Sequence, residues 1–401
     1  MTAAFHSKLP TVGTTIFSIM SQLSIQNKAI NLGQGFPDFN PDKKLIEMVN
    51  QAMLDGYNQY PQLAGFHDLL SAISEKIEHL YGHRYSPESE ITITSGATEA
   101  LMSSILALCG VGDEVIIIEP FYDLYLPAVQ LAGATPVVVA MEPPKHPNES
   151  YWINWDKIRD ALSSRTRLLI INTPHNPTTM VLKNDDLNEL ESIVNQYGIN
   201  IISDEVYEHI LFDNRTHLSM SSRPALAEKS VVISSFGKTY HVTGWKIGYC
   251  AAPESLMTEI RKVHQFSVFT VSTPMQVALS QFMKEDDSYT KLSAFYEEKK
   301  NYLSNQLKMN TPLKPYTSEG SFFLLASYSD YSNLNEYDFC HWLTTERRVT
   351  AIPLSAFYCS PNAKTSNNGF IRLCFAKNTN TLDEAVTRLK NLSSSSAKTE
   401  V

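Results

Sequence analysis

From residue 91 onward, short apolar runs alternate with segments of helical length, and this alternation constrains the fold more than any other feature. Ile91–Thr94 is predicted to form a strand, and Thr98–Cys109 a helix with apolar residues at helical spacing. Val115–Ile118 and Leu168–Ile171 are apolar on both faces, as a sheet covered on both sides requires. The alternation implies right-handed crossovers and a mainly parallel sheet. Further strands are predicted at Val137–Ala140, Ile199–Ser203 and Val231–Ser234.

The pattern changes near residue 285, where one long helix is predicted over Tyr289–Leu307. A mixed segment follows, with strands predicted at Ser321–Leu325 and Phe370–Phe375. This indicates a second, smaller α+β domain, and a chain of 401 residues is long enough for two cores. We therefore expect an N-terminal arm over 1–40 that packs on the small domain, a large domain over 41–285, a small domain over 286–392 and a disordered tail over 393–401.

The charge balance and the cysteine pattern exclude several classes of protein. Thirty-three basic residues against 42 acidic ones give a formal charge of -9, and without a dense Lys/Arg cluster this argues against nucleic-acid binding. Five scattered cysteines without a CxxC pair are typical of a reducing compartment. No stretch has about 18 consecutive apolar residues, so we expect a cytoplasmic protein without a membrane segment. No histidine, cysteine or carboxylate cluster has metal-ligand spacing, so no metal is expected.

Three loops after predicted strands carry residues that a plain α/β sheet does not need. Ser95–Thr98 opens a helix, where free N–H groups could hold a phosphate, although such turns also occur without a ligand. Asp204 ends an apolar strand, where either a helix cap or a buried cation would explain it. Lys238 lies in a Ser/Gly turn and, taken alone, is more readily explained as an ordinary surface residue. Together they place a phosphate cradle, an acid and a lysine at one edge of a sheet, where α/β proteins bind ligands.

The motifs around these residues resemble one enzyme family. They resemble the fold-type I, pyridoxal-phosphate (PLP) dependent class I/II aminotransferases, and most of all the branch of the methionine and kynurenine aminotransferases. The resemblance extends from about residue 10 to 392 and includes motif order and spacing. It implies a large domain with a mainly parallel seven-stranded sheet between helices, plus a smaller α+β domain. The motifs are NLGQGFPDF, NTPHNP, ISDEVYEHI, SSFGKTYHVTGWKIGY and FIRLCFA.

The resemblance assigns roles toward PLP. Lys238 matches the lysine that binds the cofactor as a Schiff base and moves the proton at the substrate's Cα. Asp204 matches the aspartate that keeps the pyridine nitrogen protonated. Asn176 and Tyr207 match the donors to the ring's 3′ oxygen, and Tyr122 matches an aromatic residue stacked on the ring.

The resemblance also assigns the phosphate site, in which the partner chain takes part. Lys246 stands where many relatives have arginine, and a lysine still neutralises a phosphate as a point charge. Tyr60 of the partner subunit is implied to reach the phosphate, which makes a homodimer with shared active sites the expected assembly. The remaining phosphate contacts are expected from Gly96, Ala97, Thr98 and Ser235.

For the substrate, the resemblance implies that Arg372 binds the α-carboxylate through two parallel hydrogen bonds, assisted by Gly35 and Asn176. Dicarboxylate-specific relatives use a second arginine about thirty residues after the lysine, but Gln265–Met283 contains no Lys or Arg. We therefore expect neutral large donors, methionine first and then aromatic residues and histidine, with a 2-oxo acid as acceptor in a ping-pong reaction.

Other functions differ in how well they fit the same residues. A β-lyase of cysteine S-conjugates would use the same groups, and a kynurenine- or glutamine-preferring transaminase also stays open. A non-catalytic PLP-binding protein would lack Lys238 or Arg372, and a Rossmann dehydrogenase would need a GxGxxG turn that is not present. His175 and His241 lie in polar loops, where histidines are more often structural than catalytic.

Overall fold

The computed structural model describes residues 6–359, 369–390 and 392, so the predicted disordered tail over 393–401 lies outside the described residues. The strands are β1 (Ile30–Asn31), β2 (Ile91–Thr94), β3 (Glu114–Glu119), β4 (Thr135–Ala140), β5 (Thr166–Asn172), β6 (Asn200–Asp204), β7 (Ser230–Ser235), β8 (Gly248–Ala251), β9 (Lys314–Pro315), β10 (Phe323–Ser327), β11 (Val349–Thr350), β12 (Ile352–Pro353) and β13 (Phe370–Cys374).

Helices precede, separate and follow these strands, so most crossovers of the sheet are helical. They are α1 (Ile16–Gln26), α2 (Lys43–Leu54), α3 (His67–Tyr81), α4 (Gly96–Leu108), α5 (Tyr125–Leu131), α6 (Trp155–Ala161), α7 (Asn184–Tyr197), α8 (Pro224–Ala227), α9 (Phe236–Thr239), α10 (Glu254–Ser267), α11 (Thr273–Glu285), α12 (Leu292–Asn310), α13 (Glu336–Glu346) and α14 (Thr379–Lys390). Short 3₁₀ turns lie at Met220–Ser222, Thr243–Trp245, Ser288–Lys291 and Leu354–Phe357.

The large sheet has seven strands in the order β2-β8-β7-β6-β5-β3-β4. The five strands from β7 to β4 run parallel, whereas β8 is antiparallel to both of its neighbours. The prediction of a mainly parallel seven-stranded α/β fold is therefore confirmed. The pattern of apolar runs did not indicate β8, because Gly248–Ala251 is short and contains no β-branched residue.

Both faces of the large sheet are covered, as the apolar runs predicted. In β3, Val115 and Ile117 pack into one core cluster with residues of α4, α5 and α10. Ile116 and Ile118 pack into another cluster with residues of α7. Successive strand residues point to opposite faces, so a strand covered on both sides must be apolar throughout.

A smaller antiparallel sheet has the order β12-β13-β10-β9 and places Arg372 opposite Leu325. The N-terminal segment joins this region, because Ile30 pairs with Val349 in a parallel bridge and α1 packs against α13. The long helix α12 begins at Leu292, three residues later than expected, since Ser288–Lys291 forms a 3₁₀ turn. The domain boundaries at residues 40, 285 and 392 stay a prediction.

Candidate active site

A cavity of about 330 Å³ lies where the carboxyl ends of the parallel strands face the small sheet. It is the position at which open α/β sheets bind ligands. The structure brings together around it every site residue expected from the sequence except Tyr60, namely Gly35, Gly96, Ala97, Thr98, Tyr122, Asn176, Asp204, Tyr207, Ser235, Lys238, Lys246 and Arg372.

One end of the cavity forms a cradle for an anion. Gly96 opens α4 with a φ of +69°, and a Cβ there would lie 3.4 Å from Lys246 Nζ, so a side chain would fill the cradle. Lys246 Nζ donates a hydrogen bond to Thr98 Oγ1 at 3.1 Å. The free N–H groups of the first turn of α4 and the ammonium of Lys246 supply positive potential at one point. This end of the cavity fits a phosphate group.

Asp204 supplies the negative charge of the cavity. It ends β6, is 4% exposed, and accepts a hydrogen bond from the Tyr125 hydroxyl on Oδ2 at 2.6 Å. Burial raises the pKa of Asp204 to about 6, although the bond from Tyr125 opposes the rise. Residues 206–209, which follow it, form turns rather than a helix, so a helix cap does not explain this carboxylate. It fits the alternative reading, in which a buried cation faces the acid.

Lys238 lies on α9, directly after β7, and its ammonium points into the cavity. Its Nζ donates to the carbonyl of Gly35 at 2.8 Å and lies 5.0 Å from the centre of the Phe322 ring. Burial lowers the pKa of Lys238 to about 8. An amine in this range can take up and release a proton near neutral pH, which an ordinary surface lysine cannot do.

Arg372, on β13, is 1% exposed and closes the cavity from the side of the small sheet. Its Nη1 donates to Asn176 Oδ1 at 2.5 Å and its Nη2 to the Gly33 carbonyl at 2.8 Å. Both acceptors are uncharged, and Nε has no hydrogen-bond partner among the described residues. Burial lowers the pKa of Arg372 to about 10, so the guanidinium keeps its charge at neutral pH. A buried cation with neutral partners favours an anionic ligand.

Aromatic rings hold the guanidinium of Arg372 in place. Its carbon lies 3.9 Å from the centre of the Phe323 ring, 4.8 Å from that of Phe357 and 5.3 Å from that of Phe17. Gly35 lies so close to Phe323 that a Cβ would be 2.7 Å from its ring. These contacts fix the direction in which Arg372 presents its donors.

Tyr60, expected at the phosphate site, does not reach the cavity of its own chain. Tyr60 is 82% exposed, and its ring contacts that of Phe269 at 5.3 Å. Phe269 is 44% exposed, and Phe266 is also exposed. These two phenylalanines, which belong to the segment Gln265–Met283 without Lys or Arg, therefore lie at the surface of the single chain rather than around its cavity.

The two loop histidines lie outside the cavity. His175 is buried with Nδ1 2.7 Å from Thr178 Oγ1, and burial lowers its pKa to about 3. His241 packs edge-on against Phe39 with ring centres 4.9 Å apart, and burial lowers its pKa to about 4. Both are therefore neutral at neutral pH, which agrees with a structural role.

Among the described residues no group of side chains could hold a metal ion.

Sequence reasoning missed several residues at the site, including Phe17, Tyr125 and Phe323, which contact its charged groups. Phe17 and Phe323 line the cavity, and Tyr125 bonds to its carboxylate. Tyr125 follows Tyr122 by three residues, which places both near the start of α5, and this spacing was the one signal available. Separately, no described helix combines the length and the apolar character that crossing a membrane demands.

Comparisons with known proteins agree with this geometry. The model of the family "Aminotransferase class I and II" matches residues 27–389. Methionine aminotransferase of Escherichia coli is 46% identical over 388 residues, covering 96% of this chain and 98% of the relative. Kynurenine–oxoglutarate transaminase of Dictyostelium discoideum is 33% identical, covering 95% and 94% of the two chains.

A solved structure from Escherichia coli, described as having a methionine aminotransferase function, superposes with a TM-score of 0.92 at 45% identity. The superposition covers 97% of this chain and 100% of the other. Family match, sequence identity and fold therefore point in one direction. This chain belongs to the class I and II aminotransferases, a PLP-dependent family of enzymes.

Proposed function

We propose that this aminotransferase moves the α-amino group of a neutral, large amino acid to a 2-oxo acid by a ping-pong mechanism. Methionine is the preferred donor, followed by aromatic residues and histidine. One observation carries the proposal: three buried charged groups, Asp204, Lys238 and Arg372, line one cavity, and each has only uncharged hydrogen-bond partners there. Buried charges without a counter-charge in the protein favour a ligand that carries the opposite charges.

The cavity fits PLP group by group. The cradle at Gly96–Thr98, with Lys246 and Ser235, suits the phosphate, and Asp204 suits the pyridine nitrogen. Lys238 would hold the cofactor covalently through Nζ, while Tyr122 lies in position to pack on the ring. When bound, PLP supplies the electron sink for the bond broken at the substrate's Cα.

Hydrogen-bond donors beside the cavity suit the ring's 3′ oxygen. Tyr207 is buried, and burial raises its pKa well above the ordinary value, so its hydroxyl stays protonated. The Nδ2 group of Asn176 supplies a second donor, because its Oδ1 is already occupied by Arg372. Tyr207 and Asn176 would therefore bind this oxygen without themselves changing charge.

In the reaction, Lys238 takes the proton from the substrate's Cα and returns one to the cofactor side. A pKa of about 8 suits this role, because roughly a tenth of the amine is then unprotonated at pH 7 and free to accept a proton. Arg372 binds the α-carboxylate and so fixes the direction of the Cα–H bond. The backbone of Gly35 lies beside Lys238, where it assists in orienting the substrate.

The preference for a neutral donor follows from the charges around the cavity. Its described lining contains Lys238, Lys246 and Arg372 as cations, and each already has a role. A side-chain carboxylate would be desolvated without a partner, which costs free energy. The rest of the lining includes the apolar residues Phe17, Phe36, Leu101, Ile247 and Phe323. The similarity to a methionine aminotransferase supports the same preference.

A homodimer completes the proposed site. The exposed pair of Tyr60 and Phe269 lies beside a surface cavity of about 520 Å³. Large exposed aromatic residues in one patch are typical of an interface. In the dimer, Tyr60 of the partner subunit would contact the phosphate.

A panel of amino donors with several 2-oxo acids tests the proposal on the purified holoenzyme. Methionine, phenylalanine and histidine should react with at least about tenfold higher kcat/KM than aspartate or glutamate, since a lost charge partner costs about 1.5 kcal/mol or more. Efficient use of aspartate would overturn the neutral-donor preference. Faster elimination than transfer with a cysteine S-conjugate would make the lyase reaction the primary one.

A further inference from the structure

Tyr125 makes a contact that none of the roles above uses. It is the first residue of α5, and its buried ring packs edge-on against Tyr122 with centres 5.8 Å apart. Its hydroxyl lies 2.6 Å from Asp204 Oδ2, which is a short, charge-assisted hydrogen bond. Tyr125 itself does not line the cavity, so it can act on a ligand only through the carboxylate.

In the bond between Tyr125 and Asp204, one of the two groups must donate the hydrogen. Burial and the charge of Asp204 raise the pKa of Tyr125 well above its ordinary value, so the hydroxyl keeps its proton. It therefore donates to Oδ2 and favours the ionised carboxylate. Among the described residues, the other oxygen, Oδ1, accepts a single long bond of 3.4 Å from the Val206 N–H. Oδ1 thus keeps acceptor capacity for a ligand in the cavity.

We propose that Tyr125 is a positioning residue for the transamination reaction: its hydroxyl holds Asp204 ionised and turned so that Oδ1 faces the cofactor's ring nitrogen. This inference rests on the proposed function, because it assumes that PLP binds in this cavity. A protonated Asp204 could not hold a proton on that nitrogen, so the donor from Tyr125 decides how much of the enzyme is competent near neutral pH.

The other groups around Asp204 do not replace this donor. Lys238, on α9, lowers the pKa of Asp204 through space, whereas Glu205 raises it. Tyr122 and Tyr207 face the same carboxylate, but no hydrogen bond joins either of them to it among the described residues. The Tyr125 hydroxyl is therefore the one strong donor to the Asp204 carboxylate in the described part of the chain.

The test is Tyr125→Phe, which removes the hydroxyl and keeps the ring. The donor half-reaction should slow about tenfold for methionine and phenylalanine alike, as expected for one lost bond to a charged group. The KM should change by less than about twofold, because Asp204 does not touch the substrate. The acid limb of the pH profile should move to higher pH, since Asp204 ionises less readily. The cofactor's absorbance, titrated without substrate, should show the same displacement.

A double-mutant cycle separates positioning from general structure. In an Asp204→Asn background, Tyr125→Phe should have almost no further effect on the half-reaction rate or on the absorbance titration. The control Tyr85→Phe removes another buried hydroxyl, which lies 3.3 Å from Ser221 and has no hydrogen bond to Asp204 among the described residues, and it should leave both unchanged. Additive effects of Tyr125→Phe and Asp204→Asn, or an unmoved pH profile in Tyr125→Phe, would overturn the proposal.

Denaturation of the cofactor-free proteins gives a readout that does not depend on activity. Tyr125→Phe alone leaves a buried carboxylate without its donor, so the double variant should be more stable than additivity predicts. Additive stabilities would count against the proposal even if Tyr125→Phe were too unstable to assay. Failure of the proposed function is a different result, because wild-type enzyme itself would then not bind PLP covalently or transfer an amino group.

Discussion

Two clusters of buried charges lie on opposite sides of β7. Ser235 lines the cavity, whereas its neighbour Ser234 donates to Glu208 at 2.5 Å on the other side. In this second cluster, Lys76 Nζ lies 2.6 Å from Glu208 Oε1 and Tyr81 donates to Oε2 at 2.6 Å. We call Lys76, Tyr81, Glu208, Ser234 and Tyr249 the closed cluster, and Asp204, Lys238 and Arg372 the cavity cluster.

The pKa shifts have opposite signs in the two clusters. In the closed cluster the pKa of the acid is lowered and that of the lysine is raised, whereas the cavity cluster shows the reverse. Burial alone would raise the pKa of Glu208 and lower that of Lys76, but each charge offsets the other's burial, so Glu208 is held below its ordinary range and Lys76 above. In the cavity cluster burial prevails, which raises the pKa of Asp204 to about 6 and lowers that of Lys238 to about 8. The closed cluster is neutralised within the protein, whereas the cavity cluster stays incomplete until a ligand arrives.

The largest expected effect comes from Lys238→Ala. Without Nζ the cofactor cannot be held covalently, and no group remains to move the Cα proton. Turnover should fall by about 10²–10⁴-fold or more. PLP should still bind through the phosphate cradle, and steady-state kinetics with equilibrium dialysis measure both quantities.

Borohydride reduction of the wild-type holoenzyme, followed by peptide mapping, supplies the control for this assignment. Label should appear on Lys238 and not on Lys246, whose Nζ is bonded to Thr98 in the cradle. Label on Lys246 would show that the two lysines have been assigned to the wrong roles.

Glu208→Gln should be the most destabilising single change in the closed cluster. It leaves the buried ammonium of Lys76 without its counter-charge, which costs about 3–5 kcal/mol in the free energy of unfolding. Urea denaturation of the cofactor-free protein measures the loss. Adding Lys76→Met should recover much of it, because the unpaired charge is then removed. A loss below about 1 kcal/mol would mean that water or another group already screens Lys76.

The sequence predicts the cavity cluster much better than the closed one. Asp204 and Lys238 each follow an apolar strand, so strand periodicity and the rule for sheet edges place them together. Lys76 and Glu208 lie 132 residues apart, on α3 and in a turn, and no local pattern joins them. Tyr125 was missed for the same reason, since its bond to Asp204 depends on how α5 packs against α4, β3 and β4.

The difference between local patterns and long-range packing also explains which strands were predicted correctly and which were not. Strands with β-branched residues, such as β5 and β7, were found to within two residues at each end. The antiparallel β8 was not found, because tertiary pairing rather than composition makes it a strand. Gly248 in β8 is required by packing, since a Cβ there would be 2.8 Å from the backbone N of Ala97. Long-range packing of this kind leaves no period in the sequence.

Arg372→Lys should have a smaller effect than the loss of Lys238. A lysine keeps the charge but replaces the planar fork with a single flexible donor. Losing one charge-assisted bond should lower kcat/KM by roughly ten- to a hundred-and-fifty-fold, equivalent to about 1.5–3 kcal/mol. The loss should be similar for methionine, phenylalanine and histidine, because all three share the α-carboxylate. An effect confined to one donor would show that Arg372 contacts side chains instead.

The smallest expected effect is on the free energy of unfolding, and its sign should differ between a variant of the cavity cluster and a variant of the closed cluster. The folded-state pKa of Asp204, about 6, lies above its unfolded value near 3.8, so the cofactor-free protein loses stability as the pH rises from about 4 to 6. Glu208 does the opposite, because its pKa is lowered by Lys76, and its contribution is lost as the pH falls below its unfolded value of 4.5. Asp204→Asn should therefore stabilise the cofactor-free protein at pH 7 by about 1–3 kcal/mol, whereas Glu208→Gln destabilises it.

Urea denaturation at several pH values between about 4 and 8 measures both signs on the cofactor-free proteins. Saturating PLP should abolish the gain from Asp204→Asn, because the ring nitrogen then neutralises the wild-type carboxylate and binding itself adds stability. The closed cluster should not respond to PLP, since its charges are already paired. If Asp204→Asn destabilised the cofactor-free protein at pH 7, the carboxylate would already be neutralised by a charged partner inside the protein. The contrast between the two clusters would then be wrong.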